Sequence, residues 1–245
     1  MTENYEDFVS TVSHELRTPL TSIRGFSDTM INSWDRLDDE SKKKFLKIIK
    51  EQSERLITMV ENLLSVTKLQ SQNEKIILKS VRIQPVIQKV IQLIKPQYSG
   101  KNFIINIKEN VPEILADEDK FQQVMMNLIE NACKYSDCNN DIWIEAGWGE
   151  DINFVKISVT NLGFGITKED YEKIFTKFSR IDNPLTRKTQ GSGLGLYITK
   201  NLLKKMDGEI SVQSDNINEN TSKITFSIKL PISDIEKQAR SKCVQ

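Results

Sequence analysis

The strongest constraint on this chain is a seven-residue apolar rhythm. Phe45, Ile49, Gln52, Leu56, Met59, Leu63 and Val66 follow one another at alternating four- and three-residue steps, the spacing of a single buried stripe along a helix. Upstream, Phe8, Val12, Leu16, Ile23 and Met30 recur at similar steps, interrupted only by Pro19. Residues 35–40 (DRLDDE) form a short polar turn between the two patterns, so the helices fold back as an antiparallel hairpin. Two helices alone have too little apolar area to be stable. The narrow seam therefore calls for a partner. The simplest is a second copy, making a homodimer with a four-helix bundle; packing on the chain's own C-terminal part is the alternative.

At residues 70–74 (QSQNE) the rhythm ends. Short β-rich runs follow at 102–108, 141–146, 154–160, 209–213 and 223–230, interleaved with helical patterns near 84–94, 120–135 and 194–206. That alternation predicts an α/β sandwich, helices on one face of a mixed sheet, and an α+β chain as a whole. The length of 245 residues suits two modest domains. Their expected bounds are 1–72 for the hairpin and 73–233 for the sandwich, with 234–245 as a C-terminal tail.

Composition excludes several classes. Lys plus Arg and Asp plus Glu number 34 each, so there is no basic excess for a nucleic acid. Cys133, Cys138 and Cys243 are odd in number, lack CxxC spacing and have one histidine to join them, which argues against zinc. They read as reduced thiols of a cytoplasmic protein. No run of 18 apolar residues exists. The expected location is the cytoplasm, with membrane contact only through a segment upstream of this chain.

The single histidine, His14, lies in the run SHELRTPL, one turn before Pro19. Proline there leaves the Glu15 carbonyl without its helical donor and bends the axis. A lone imidazole is ordinarily a solvated surface group. A costly proline beside the only imidazole and two charged neighbours favours chemistry at His14.

A second group of residues suits phosphates. Asn127 and Asn131 sit four apart in the helical pattern QQVMMNLIENACKYS, which puts both amides on one face with Lys134. Amide oxygens suit a hard cation and the ammonium an anion. Two glycine segments follow. Asn161-Leu162-Gly163-Phe164-Gly165 comes directly after a strand pattern, and Gly191-Ser192-Gly193-Leu194-Gly195 opens a helix. Glycines at a helix N-terminus let backbone amides reach a phosphate. Either segment alone is weak; two of them with the Asn-Asn-Lys face are a strong combination.

Taken together these segments resemble a sensor histidine kinase, from about Asp7 to Ile232. SHELRTPL resembles the H box, QVMMNLIENACKYS the N box, NLGFGI the first glycine box, IFTKFSRID the F box and GSGLGL the second glycine box, in the family's order. The resemblance implies a dimerisation and phosphotransfer hairpin followed by an ATP-binding domain of the kind shared with certain chaperones and type II topoisomerases. It implies that His14 accepts the γ-phosphoryl of ATP and passes it to an aspartate of a response regulator receiver domain. Glu15 would hold the imidazole, and Thr18, three residues on, would serve dephosphorylation of the regulator. Asn131 would hold Mg2+, Asn127 and Lys134 the metal–phosphate region, Tyr135 would pack on the nucleotide and Arg180 would touch phosphate. Residues 181–190 would be a lid, in which Thr186, Arg187 and Lys188 are either solvated or phosphate contacts. An upstream segment, if any, would then be a sensor region.

One residue departs from the pattern. The first glycine box usually begins with Asp, whose carboxylate accepts from the adenine amino group; here it is Asn161. An uncharged acceptor loses charge assistance, about 1 kcal/mol. A scaffold or adaptor with a degenerate glycine box is therefore the alternative function. An ATPase of the chaperone or topoisomerase kind finds less support, because Asn127 stands where those enzymes carry a catalytic Glu.

Overall fold

The computed structural model describes residues 5–70, 75–136, 141–179, 192–218 and 221–233. The chain divides into two compact units, Met1–Gln70 and Ser71–Gln245.

The first unit is a pair of long antiparallel helices. Helix α1, Tyr5–Ser33, runs through Pro19 without a break, and α2 spans Asp39–Gln70. A single 3-10 turn, Trp34–Arg36, joins them. Asp38 starts α2: its carboxylate accepts from the Ser41 N–H at 2.6 Å, an N-terminal cap that also lowers the Asp38 pKa. The predicted seam is the inward stripe. Phe45 meets Phe26 with ring centroids 5.2 Å apart, and Met30, Met59 and Val66 are buried. Beside that seam Leu46, Ile57, Val60 and Leu64 form a second apolar stripe that is exposed within this chain.

The second unit is a two-layer sandwich. Its main sheet has five strands in the order β2-β4-β5-β7-β6: Asn102–Ile107, Asp141–Trp148, Phe154–Gly163, Ser222–Pro231 and Glu209–Asn216. Among the described strands only β2 and β4 pair in parallel. A small sheet joins β1, Lys79–Val81, to β3, Ile114–Ala116. Neither short strand is legible in the apolar pattern. Helices α3 (Ile83–Ile94), α4 (Glu118–Tyr135) and α5 (Gly195–Lys205) supply the other layer. Alternation decides what meets them. Ile142, Ile144, Val155, Ile157, Val159, Ile224 and Ile228 point to one face and are buried, as are Val90, Phe121, Leu128 and Ile198 from the helices. Asn161 continues the inward series of β5 two residues after Val159 and is 2% exposed. A polar side chain thus ends an otherwise apolar row.

Candidate functional site

In the hairpin, His14 and Thr18 are exposed, one turn apart on α1. The Thr18 hydroxyl donates to the His14 carbonyl at 3.3 Å. Glu15 turns elsewhere: its carboxylate meets Arg55 of α2 at 3.5 Å. In this arrangement the carboxylate next to His14 is engaged by a cation of the opposite helix. Pro19 is buried between the helices.

The sandwich gathers the remaining described candidates around the ends of α4, β5 and α5. Asn127 bridges two helices, its amide NH2 donating to the Gly195 carbonyl at 3.2 Å and to the Thr199 hydroxyl at 3.4 Å. Thr199 is fully buried, so Asn127 satisfies it. Sequence reasoning missed Thr199, although its position four residues after Gly195 puts both on one face of α5. Lys134 pairs with Glu130, one turn back, at 3.0 Å. Asn131 lies on the same face of α4, half-buried, and its amide has no hydrogen-bond partner among the described residues.

The glycines mark close approaches. A Cβ on Gly163 would stand 2.1 Å from the Tyr135 carbonyl oxygen, so only hydrogen fits there. Gly163 is also bridged to Ser136, which closes the end of α4 onto β5. Gly193 has φ of +66° and packs against the backbone of Phe178. Gly165 lies against the Ser222 hydroxyl, and the following Ile166 N–H donates to Ser214 Oγ at 3.0 Å. Tyr171 braces the same strand, its hydroxyl accepting from the Ser214 N–H at 2.7 Å. Ser214, Ser222 and Tyr171 thus anchor the loop after β5, a role no local pattern announced. Leu194 is buried at the start of α5, whose first turn has no side-chain cap. Arg180, Gly191 and residues 181–190 lie outside the described residues.

Among the described residues, one buried side-chain polar atom has no partner: Asn161 Nδ2. Burying an unpaired amide costs about 1–3 kcal/mol, which a ligand atom would recover. This unpaired donor lies beside Gly163 and the Tyr135 carbonyl, where α4 ends against β5. An acceptor atom of a nucleotide would satisfy that donor, and the Asn131 amide oxygen is of the kind that would hold a hard cation. No cluster of three His, Cys, Asp or Glu that could hold a metal exists among the described residues.

A helical hairpin with an exposed histidine, followed by an α/β sandwich that buries an unpartnered amide, is an arrangement suited to phosphotransfer. Two family models match accordingly: the His Kinase A (phospho-acceptor) domain over residues 5–72, and the histidine kinase-, DNA gyrase B- and HSP90-like ATPase over residues 116–234. The chain belongs to the sensor histidine kinases and carries both kinase domains of that family. It is 34% identical to the sensor histidine kinase WalK of Bacillus subtilis over 93% of its own length and 37% of that protein's. It is 30% identical to the non-motile and phage-resistance protein of Caulobacter vibrioides over 85% of this chain and 25% of that one. Among solved structures, histidine kinase ThkA in complex with response regulator protein TrrA matches with a TM-score of 0.70 and 25% identity, over 93% of this chain and 61% of that one. The chain thus spans well under half the length of these two curated relatives. No helix among the described residues is long and apolar enough to cross a membrane.

Proposed function

We propose that this chain is the core of an ATP-dependent histidine autokinase that works in the cytoplasm. A ring nitrogen of His14 attacks the γ-phosphorus of ATP, the bond from that phosphorus to the bridging oxygen breaks, and ADP keeps the electron pair. An aspartate carboxylate of a response regulator receiver domain then takes the phosphoryl group from His14. The observation that carries this reading is the lone, exposed imidazole in a phospho-acceptor hairpin. The ThkA relative was solved with a response regulator, which supports the choice of partner. The exposed stripe of Leu46, Ile57, Val60 and Leu64 supports a homodimer.

Each residue has a task. Asn161 takes the base edge with Gly163 and Gly165 holding the backbone beside it, Tyr135 packs on the nucleotide, and the backbone of Gly191, Gly193, Leu194 and Gly195 lets the polyphosphate approach. Asn131 would hold Mg2+, which when bound neutralises phosphate charge; Lys134 and Asn127 would serve the metal–phosphate region, and Arg180 would contact phosphate. Glu15 orients the imidazole. Thr18 orients a water on the regulator's acyl phosphate, so the same chain also dephosphorylates its regulator.

Incubation with γ-labelled ATP tests the reading. The full chain should gain acid-labile, base-stable label, and His14→Gln should gain none while binding ATP and dimerising as before. Acid-labile label on His14→Gln overturns the assignment.

A further inference from the structure

The turn that leads into β2 touches the last turn of α4. The Lys101 N–H donates to the Tyr98 carbonyl at 2.9 Å, which closes that turn. From it Lys101 Nζ reaches Ser136, donating to the carbonyl at 3.2 Å and to the hydroxyl in a short bond. Ser136 caps the C-terminus of α4: its N–H bonds the Ala132 carbonyl, and its hydroxyl lies 3.4 Å from the Cys133 carbonyl. A cation there satisfies a carbonyl left over at the helix end and meets the negative end of the helix dipole. The helix does not supply this itself, because Lys134, the basic residue of its last turn, is paired with Glu130.

The residue that Lys101 holds is also the one that meets β5. Ser136 bridges Gly163, and the preceding carbonyl, that of Tyr135, fills the space where a Gly163 Cβ would stand. The Asn161 amide nitrogen borders the same point, 3.3 Å from that Cβ position. The end of α4 is therefore pinned from two sides, by the backbone of β5 and by the Lys101 ammonium.

We infer that Lys101 is a positioning residue for nucleotide binding: through Ser136 it sets the spacing of Tyr135 from Asn161 across Gly163, without touching the nucleotide. This rests on the reading that Tyr135 and Asn161 hold the nucleotide. A group that only orients the binding slot changes affinity more than the rate at saturation.

The test is titration of the full chain with ATP and Mg2+, together with initial rates of His14 labelling. Lys101→Met should raise Kd and KM for ATP about fivefold, with kcat within about twofold of wild type. Lys101→Arg keeps the cation and should restore KM to within about twofold. Ser136→Ala removes the hydroxyl partner and leaves the carbonyl, so it should raise KM about three- to fourfold and serves if Lys101→Met does not fold. A Lys101→Met protein that binds ATP as wild type does overturns the inference alone, as does one in which kcat falls with KM unchanged. If Lys101→Met does not fold, an unchanged KM in Ser136→Ala overturns it. A wild-type chain that binds no ATP overturns the proposed function and this inference with it.

Discussion

Arg55 on α2 meets Glu15 on α1 across the hairpin, Nη2 to Oε2 at 3.5 Å, each side chain 22% exposed. Glu15 follows His14 in the chain, and on the proposed reading its carboxylate would have to leave this guanidinium of the other helix to serve the imidazole. A part-buried pair as long as 3.5 Å contributes about 1 kcal/mol, small enough to exchange during the reaction. Arg55→Met should free Glu15 and raise the initial rate of His14 phosphorylation about two- to fivefold. Glu15→Gln should lower it about 100-fold. Labelling time courses decide; equal losses in both variants would mean that the pair itself is required.

Thr18 donates to the His14 carbonyl and stands on the exposed side of α1. Its hydroxyl can leave that weak bond for a water without unmaking the helix. Thr18→Ala should slow dephosphorylation of the phosphorylated regulator about tenfold and keep autophosphorylation within about twofold. Parallel loss of both activities would place Thr18 in helix geometry beside Pro19 instead.

On the proposed reading Asn161 would offer the nucleotide an amide where a carboxylate is usual for the family. An amide can present oxygen to a 6-amino base or NH2 to a 6-oxo base, so discrimination between ATP and GTP should be shallow. Asn161→Asp should bind ATP about fivefold more tightly and prefer it more sharply over GTP. Without nucleotide the same variant should unfold at lower temperature, since it buries a charged carboxylate at the place where the amide NH2 already lacks a partner. Calorimetric titration with both nucleotides checks this. If ATP affinity and preference stay as in wild type, Asn161 does not face the base.

Cys133 lies buried in the last turn of α4, and burial pushes its thiol up to about 11. Tyr98, beside Glu130 and Cys133, is likewise raised, chiefly by burial. Both groups keep their protons longer in the folded chain than in the unfolded one. Between the ordinary thiol value and about 11 the unfolded chain therefore holds fewer protons, and stability falls as pH rises. Urea unfolding should show the sandwich about 1–2 kcal/mol less stable at pH 10.5 than at pH 8. Cys133→Ala should flatten that dependence; a slope unchanged in this variant would assign it to other groups.

Much of this protein is legible in its residues because much of it is local. The four-and-three spacing from Phe45 to Val66 specifies a helix and the face it buries before any partner is known. His14 stands out because it is the only imidazole, and the glycines at 163, 165, 193 and 195 because few side chains tolerate such approaches. Residue type and periodicity determine what a position can do and which face it occupies.

They do not determine which neighbour it meets. Glu15 finds Arg55 forty residues away, Asn127 finds Gly195 sixty-eight away, and Lys101 finds Ser136 thirty-five away. Lys134 and Asn127 share a face with Asn131, yet tertiary contacts and a local ion pair occupy the first two and leave the third. The parallel pairing of β2 with β4 and the short β1–β3 sheet also come from outside their own sequences, because an edge or a three-residue strand lacks a periodicity of its own. Hydrogen-bond partners are chosen when separate segments pack and each buried polar group must be satisfied by whatever arrives. The tertiary structure alone therefore decided that Asn161, an inward position in an apolar row, would be left with a donor to give.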